Sequence, residues 1–92
     1  MFAIAFDMTV GKLREHFGEP YNNAYFEIGR ILSQYGFYNT QGSVYLSTNE
    51  DMANLLRALT ALKSTTWFAK SVRDIKAFRV EQWSDFTEFM KE

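Results

Sequence analysis

Ninety-two residues with a formal net charge of −1 and no cysteine make one domain, 1–92, with a single core and little chain to spare. The near-neutral balance excludes a polycation, so any nucleic-acid contact has to come from a local basic patch, and the missing cysteines exclude disulfides, thiolate chemistry and zinc sites of the cysteine type. An aromatic share of 17% favours an α+β core with rings left over for an interface.

The chain opens with Met1-Phe2-Ala3-Ile4-Ala5-Phe6-Asp7, a buried strand that ends in a carboxylate. Side chains alternate along a strand, so Phe2, Ile4, Phe6 and Met8 share a bulky face suited to helices. Ala3, Ala5 and Asp7 share a small face, which lets a second sheet, a partner chain or a nucleic-acid backbone come close. Asp7 reads either as a strand terminator or as a functional acid. The apolar run is too short for a signal sequence and no stretch suits a membrane span, so the expectation is a cytoplasmic protein. Thr9–Glu19, with Gly11 and Gly18, is expected as a mobile loop. His16, the one histidine, has no second nitrogen or sulfur ligand nearby and reads as a surface residue.

Pro20 suits the first position of a helix and Gly36 its left-handed stop. Between them Tyr21, Ala24, Tyr25, Ile28, Ile31, Leu32 and Tyr35 recur at three and four as an apolar stripe, with Asn22, Glu27, Arg30 and Gln34 facing away. Phe37–Gln41 and Ser43–Leu46, divided by Gly42, read as a hairpin in which Tyr38 and Tyr45 are packed rings or surface stacking groups. Ser47 and Glu50 stand at capping-box spacing before a second helix, whose Met52, Leu55, Leu56, Leu59 and Leu62 read as core and which ends near Lys63. Ser64–Ser71 is ambiguous, since Thr65-Thr66-Trp67-Phe68 suit a short helical turn or a strand, and the turn is the reading taken; Val72–Trp83 is expected as a long strand. Ser84 then caps a short helix, Asp85–Lys91, that lays Phe86, Phe89 and Met90 on the body.

Strand, helix, strand, strand, helix, strand is the order of a ferredoxin-like βαββαβ domain. That fold is α+β, with a four-stranded antiparallel sheet and two helices on one face, followed here by a short C-terminal helix. Right-handed crossovers put the first and third strands in the centre. The end of the first strand, Asp7, then lies near Ser43 and the Gln41-Gly42 turn, and the start of the fourth brings Arg73 and Asp74 to the same rim. Lys70, Arg73, Lys76 and Arg79 crowd the same segment with Asp74 alone to offset them. They read as a solvated, protective edge or as phosphate contacts, in which cations neutralise an RNA backbone without reading its sequence.

At MFAIAFD, TQGSVY (Thr40–Tyr45), NEDMANL (Asn49–Leu55) and SVRDIKAFRVEQWSDFT (Ser71–Thr87) the chain resembles the bacterial virulence-associated protein D (VapD) family over essentially its whole length. The resemblance implies a small cytoplasmic toxin, partnered by an antitoxin protein, that acts as an endoribonuclease. It also implies likeness in fold to the small CRISPR-associated ferredoxin-like nucleases, which dimerise through their sheets and carry an acid at the end of strand one. Asp7 matches that acid and Ser43 the family's hairpin serine; Asp74 is a looser match. Nothing is carried over to Lys12, Arg14 or His16.

Cleaving an RNA phosphodiester needs a base for the nucleophile, stabilisation of charge at phosphorus, and positioning. Two routes stay open at this point. In one, Asp7 from one or both subunits of a homodimer holds Mg²⁺ or a water at the scissile phosphate, a hard ion for a hard ligand. In the other, Asp7 acts without metal as base toward a 2′-hydroxyl. Ser43 would orient the phosphate in both, and Arg73 or Arg79 would offset its charge. Readings from other classes are a non-catalytic nucleic-acid-binding module and a purely partner-binding dimer. Ferredoxin-like RNA-recognition domains stack bases on aromatics of the two central strands, a pattern that Gly42–Leu46 and the small Ala3 and Ala5 lack.

Overall fold

Strand alternation sets the layers. In the computed structural model, which describes residues 1–92, β1 (Phe2–Met8) buries Phe2, Ile4 and Phe6 and leaves Asp7 exposed. Its neighbours are β3 (Val44–Ser47) and β4 (Val72–Arg79), both antiparallel to it. With β2 (Tyr38–Gln41) at the edge, the four-stranded sheet has the order β2-β3-β1-β4. The first and third strands are central, as right-handed crossovers require. Register partners share a face: Ile4 with Tyr45 and Ala77 on the bulky side, Ala3 with Leu46 and Phe78 on the small side.

The bulky face is covered by α2 (Asn23–Ser33) and α3 (Met52–Ser64). Ala24, Ile28 and Leu32 of α2 are buried, as are Leu55, Ala58 and Leu62 of α3. Each fully buried Leu or Ile contributes about 1.5–3 kcal/mol relative to exposure. At the centre Phe6 stacks on Tyr45 with centroids 6.0 Å apart, and meets Phe68 edge-on at 5.5 Å. The Asn54 amide donates to the Tyr35 carbonyl at 2.8 Å, fastening α3 to the end of α2. Gly36 stops α2 with φ +79°, as expected, whereas the helix itself starts at Asn23, beyond Pro20. The architecture is thus the expected α+β, ferredoxin-like one, carrying extra short helices. No helix is long and apolar enough to cross a membrane.

Several local expectations are corrected. Thr9–Glu19 is not a loop, because Val10–His16 form α1. Leu13 is fully buried there, and Phe17, four residues on, meets Trp67 edge-on at 4.8 Å. Trp67 and the buried Phe68 belong to α4 (Thr66–Ser71), the short helical turn expected there, running on to six residues. The capping box at Ser47 and Glu50 does not form. Ser47 is instead buried in β3, and Asp51 caps α3 by accepting from the Ala53 amide at 3.0 Å.

Met52 and Leu56 are exposed and not core. The core takes the row Leu55, Ala58, Leu62, which leaves Leu56 about 100° round the helix from Leu55. β4 ends at Arg79, and α5 spans Thr87–Lys91 with Asp85, not Ser84, accepting from the Thr87 amide at 2.9 Å. Phe86, Phe89 and Met90 stay exposed, and Phe86 and Phe89 meet each other edge-on at 6.3 Å. A five-residue helix presents little more than one turn and does not bring all three side chains back onto the body.

Candidate active site

β1 delivers Asp7 at its exposed end, and in the antiparallel register Asp7 faces Asp74 of β4. Two like charges directly opposite repel. β4 answers with a bulge: Asp7 pairs with Asp74 but Met8 pairs with Val72, so Arg73 is the extra residue. A bulge re-aims a side chain that simple alternation would send to the other face. Here the Arg73 guanidinium donates from Nη2 to Asp7 Oδ2 at 3.0 Å and from Nε to Asp74 Oδ2 at 3.4 Å. Lys76 Nζ lies 3.7 Å from Asp74 Oδ1. Asp7 and Arg73 are 61% and 65% exposed, so their pairing contributes at most about 1 kcal/mol. The bulge therefore organises charge more than it stabilises the fold.

The β2–β3 turn completes the rim. Gly42 turns the chain at φ +48°, and the Asn39 side-chain amide donates to the Gly42 and Val44 carbonyls at 2.8 and 3.3 Å. The Phe6 amide donates to the Ser43 carbonyl at 3.2 Å, tying the turn to β1. Asp7, Gly42, Ser43, Asp74 and Lys76 line one open cleft of about 560 Å³, with Ala5, Phe6, Val44 and Phe78 as its apolar part. The convergence expected from topology is therefore present: two acids, a serine, a glycine turn and a cation at one place. Arg73 joins it through the bulge.

Tyr25 of α2 is a neighbour that sequence reasoning passed over. Burial, then the adjacent Tyr21 phenol and the Asp7 carboxylate, hold its hydroxyl above the ordinary tyrosine range. Tyr25 fits the apolar stripe and so looked like core; the available signal was a hydroxyl-bearing ring, at both 21 and 25, where an aliphatic would serve.

The basic run does not act as one patch. Arg73 and Lys76 reach the rim. Arg79 pairs with Glu50 at 2.9 Å and lies over the Phe2 ring at 4.8 Å. It sits opposite Phe2, five residues and about 17 Å along the strand from Asp7. Lys70 is exposed on α4. A spacing of three is a helical period; on a strand it alternates faces. His16 lies 3.8 Å from Glu15 and does not line the cleft.

No group of three or more acidic, histidine or cysteine side chains is placed to hold a metal ion. Asp7 and Asp74 already share Arg73, and Asp74 also has Lys76. The residues of one chain therefore do not fit a resident Mg²⁺, which would have to displace a guanidinium. They can instead offer a carboxylate base, cations for a phosphate, and a serine hydroxyl beside them.

No protein-family model matches the chain. It is 56% identical to a protein named endoribonuclease VapD 1 of Riemerella anatipestifer, over 91% of this chain and 94% of that protein. It is 55% identical to an endoribonuclease VapD of Dichelobacter nodosus, covering 99% of this chain and 98% of the relative. Identity to the endoribonuclease VapD of Haemophilus influenzae is 50%, over 99% of both. With half or more of the residues shared along nearly the whole of each chain, this protein belongs to the VapD family.

Proposed function

We propose that this protein is a cytoplasmic endoribonuclease in which Asp7 is the base. The observation that carries the chemistry is the cleft itself, which Asp7 and Ser43 both line and where Arg73 bulges onto the acid. The names of the relatives support the reaction class. Asp7 accepts the proton of a 2′-hydroxyl, O2′ bonds to phosphorus and the P–O5′ bond breaks. The departing O5′ takes a proton from solvent, leaving a 2′,3′-cyclic phosphate. Arg73, held by Asp74, transfers its donor from Asp7 to a phosphate oxygen, and Lys76 adds a second cation. The Ser43 hydroxyl donates to the same group and orients it. Positioning and charge stabilisation of this kind supply most of the barrier reduction in such reactions.

A homodimer is part of this reading. Asp7 and Arg73 are open to water in one chain, while fixed dipoles and charges act most strongly where water is excluded. Phe78 beside the cleft and the exposed Phe86, Phe89 and Met90 give a second copy apolar surface to cover. A partner's second Asp7 is also the carboxylate that a Mg²⁺ site would need. Sedimentation at micromolar concentration is expected to give a dimer, and a monomer would remove this part. The family resemblance adds a toxin's role with an antitoxin protein as partner.

The decisive assay is cleavage of a labelled structured RNA by the purified protein and by Asp7→Asn, each with Mg²⁺ and with EDTA. Cleavage by the wild type in both buffers, with cyclic-phosphate ends and loss in the variant, is expected. Cleavage abolished by EDTA and restored by Mg²⁺ would overturn the metal-free route. No cleavage under any condition would favour the binding module.

A further inference from the structure

Beside the cleft at Asp7 runs a second groove of different character. It lies between α2 and the edge strand β2, measures about 490 Å³, and shares Gly42 with the first. Acids and Lys76 line the first cleft, whereas no charged side chain lines the second. Tyr25 and Phe26 from α2 line it beside Tyr38, which stands on the edge strand β2 opposite Leu46. Phe26 is 77% exposed and Tyr38 47%, so neither serves the core.

The groove is also held in shape. At its base Tyr45 is buried and stacked on Phe6. A Cβ added at Gly29 would make an ordinary van der Waals contact with the Tyr45 hydroxyl at 3.6 Å, so α2 passes close to that ring. Asn39 pins the Gly42 turn through both of its amide contacts. An open aromatic slot with a fixed floor is what a flat ring needs for stacking at low cost in ordering.

An RNA strand presents an anionic phosphate and, one linkage away, a flat uncharged base. The two clefts match these halves and share Gly42 at the rim of the sheet, a residue that carries no side chain. We propose that the groove formed by Tyr25, Phe26 and Tyr38 is a base-stacking subsite for a nucleotide flanking the scissile phosphate. This rests on the endoribonuclease reading and specifies where that site takes hold of a base. The base must leave its own stack to enter, so a paired nucleotide is excluded at that position. Stacking uses the π-face that every base has, so the subsite tolerates sequence. It also differs from the sheet-surface stacking of RNA-recognition domains, because the rings stand at the sheet edge.

The test measures binding of a labelled, short single-stranded RNA with 2′-O-methyl sugars, which cannot supply the nucleophile, by fluorescence anisotropy. Phe26→Ala and Tyr38→Ala are each expected to weaken binding by about 5- to 150-fold, the range for loss of one base–aromatic stack. Phe26→Trp is expected to preserve affinity, and an abasic site in the strand to bring the wild type down to the alanine variants. On cleavable RNA the same variants should raise KM and leave kcat nearly unchanged. Both side chains are exposed, and unchanged thermal melts check that the fold is kept. If the wild type cleaves RNA and both alanine variants bind as well as it does, the subsite is overturned alone. If the wild type neither cleaves nor binds RNA, the nuclease reading fails and takes the subsite with it. Altered sedimentation of the variants with RNA affinity intact would make the groove a contact for another protein chain at β2 and overturn the proposal.

Discussion

Asp7→Asn is expected to lower kcat for RNA cleavage by about 10²- to 10⁴-fold, the usual contribution of a positioned general base. RNA affinity and thermal stability should stay close to wild type. The amide has the shape of the carboxylate but cannot accept the proton of a 2′-hydroxyl. Its ion pair with Arg73 is exposed and worth at most about 1 kcal/mol, so the fold loses little. Single-turnover cleavage with enzyme in excess separates the chemical step from binding and product release. Asp74→Asn is a useful companion, because Asp74 acts through its hold on Arg73 at 3.4 Å and should cost less than Asp7→Asn. A loss below about tenfold in Asp7→Asn, with a larger one in Asp74→Asn, would move the base to β4.

Much of this site was legible because antiparallel topology brings chain ends together without any knowledge of packing. The alternation of Phe2, Ile4 and Phe6 with Ala3, Ala5 and Asp7 orients the acid, and the order of elements then sets Asp7 beside Ser43 and Asp74. The bulge at Arg73 was not legible, because one extra residue in a strand leaves no mark on a pattern of period two. Nor was the groove, whose Tyr25, Phe26 and Tyr38 come from two elements that only tertiary packing sets side by side. α1 was hidden for a related reason: Leu13 is the single buried side chain of a seven-residue helix, too little for a visible stripe. Met52 and Leu56 failed as core residues because neighbours decide how far a helix rotates, and α3 turns Leu55 and Leu62 inward instead. The scattering of Lys76 and Arg79, in contrast, could have been read, since three residues along a strand change faces.

Phe6→Ala is expected to have the largest effect on stability, about 3–5 kcal/mol. At about 4–8 °C per kcal/mol for a domain of this size, the melting temperature should fall by roughly 12–40 °C. Total stability of small domains is about 5–15 kcal/mol, so the variant sits near the edge of unfolding. Phe6 is buried at 4% exposure and joins three elements, stacking on Tyr45 of β3 while meeting Phe68 of α4 edge-on. Truncation leaves a cavity that two rings cannot both collapse into, whereas Phe6→Leu keeps most of the volume and should lie between the variant and the wild type. Ser43 is tied to β1 by the Phe6 backbone amide, a bond that survives loss of the ring. Folded Phe6→Ala should accordingly cleave RNA at near wild-type rate in the cold, once activity is corrected for the folded fraction seen by circular dichroism. A drop of only a few degrees would show that the core is not centred on this ring. A large loss of activity in fully folded protein would show instead that the ring itself holds Asp7 and Ser43 in register.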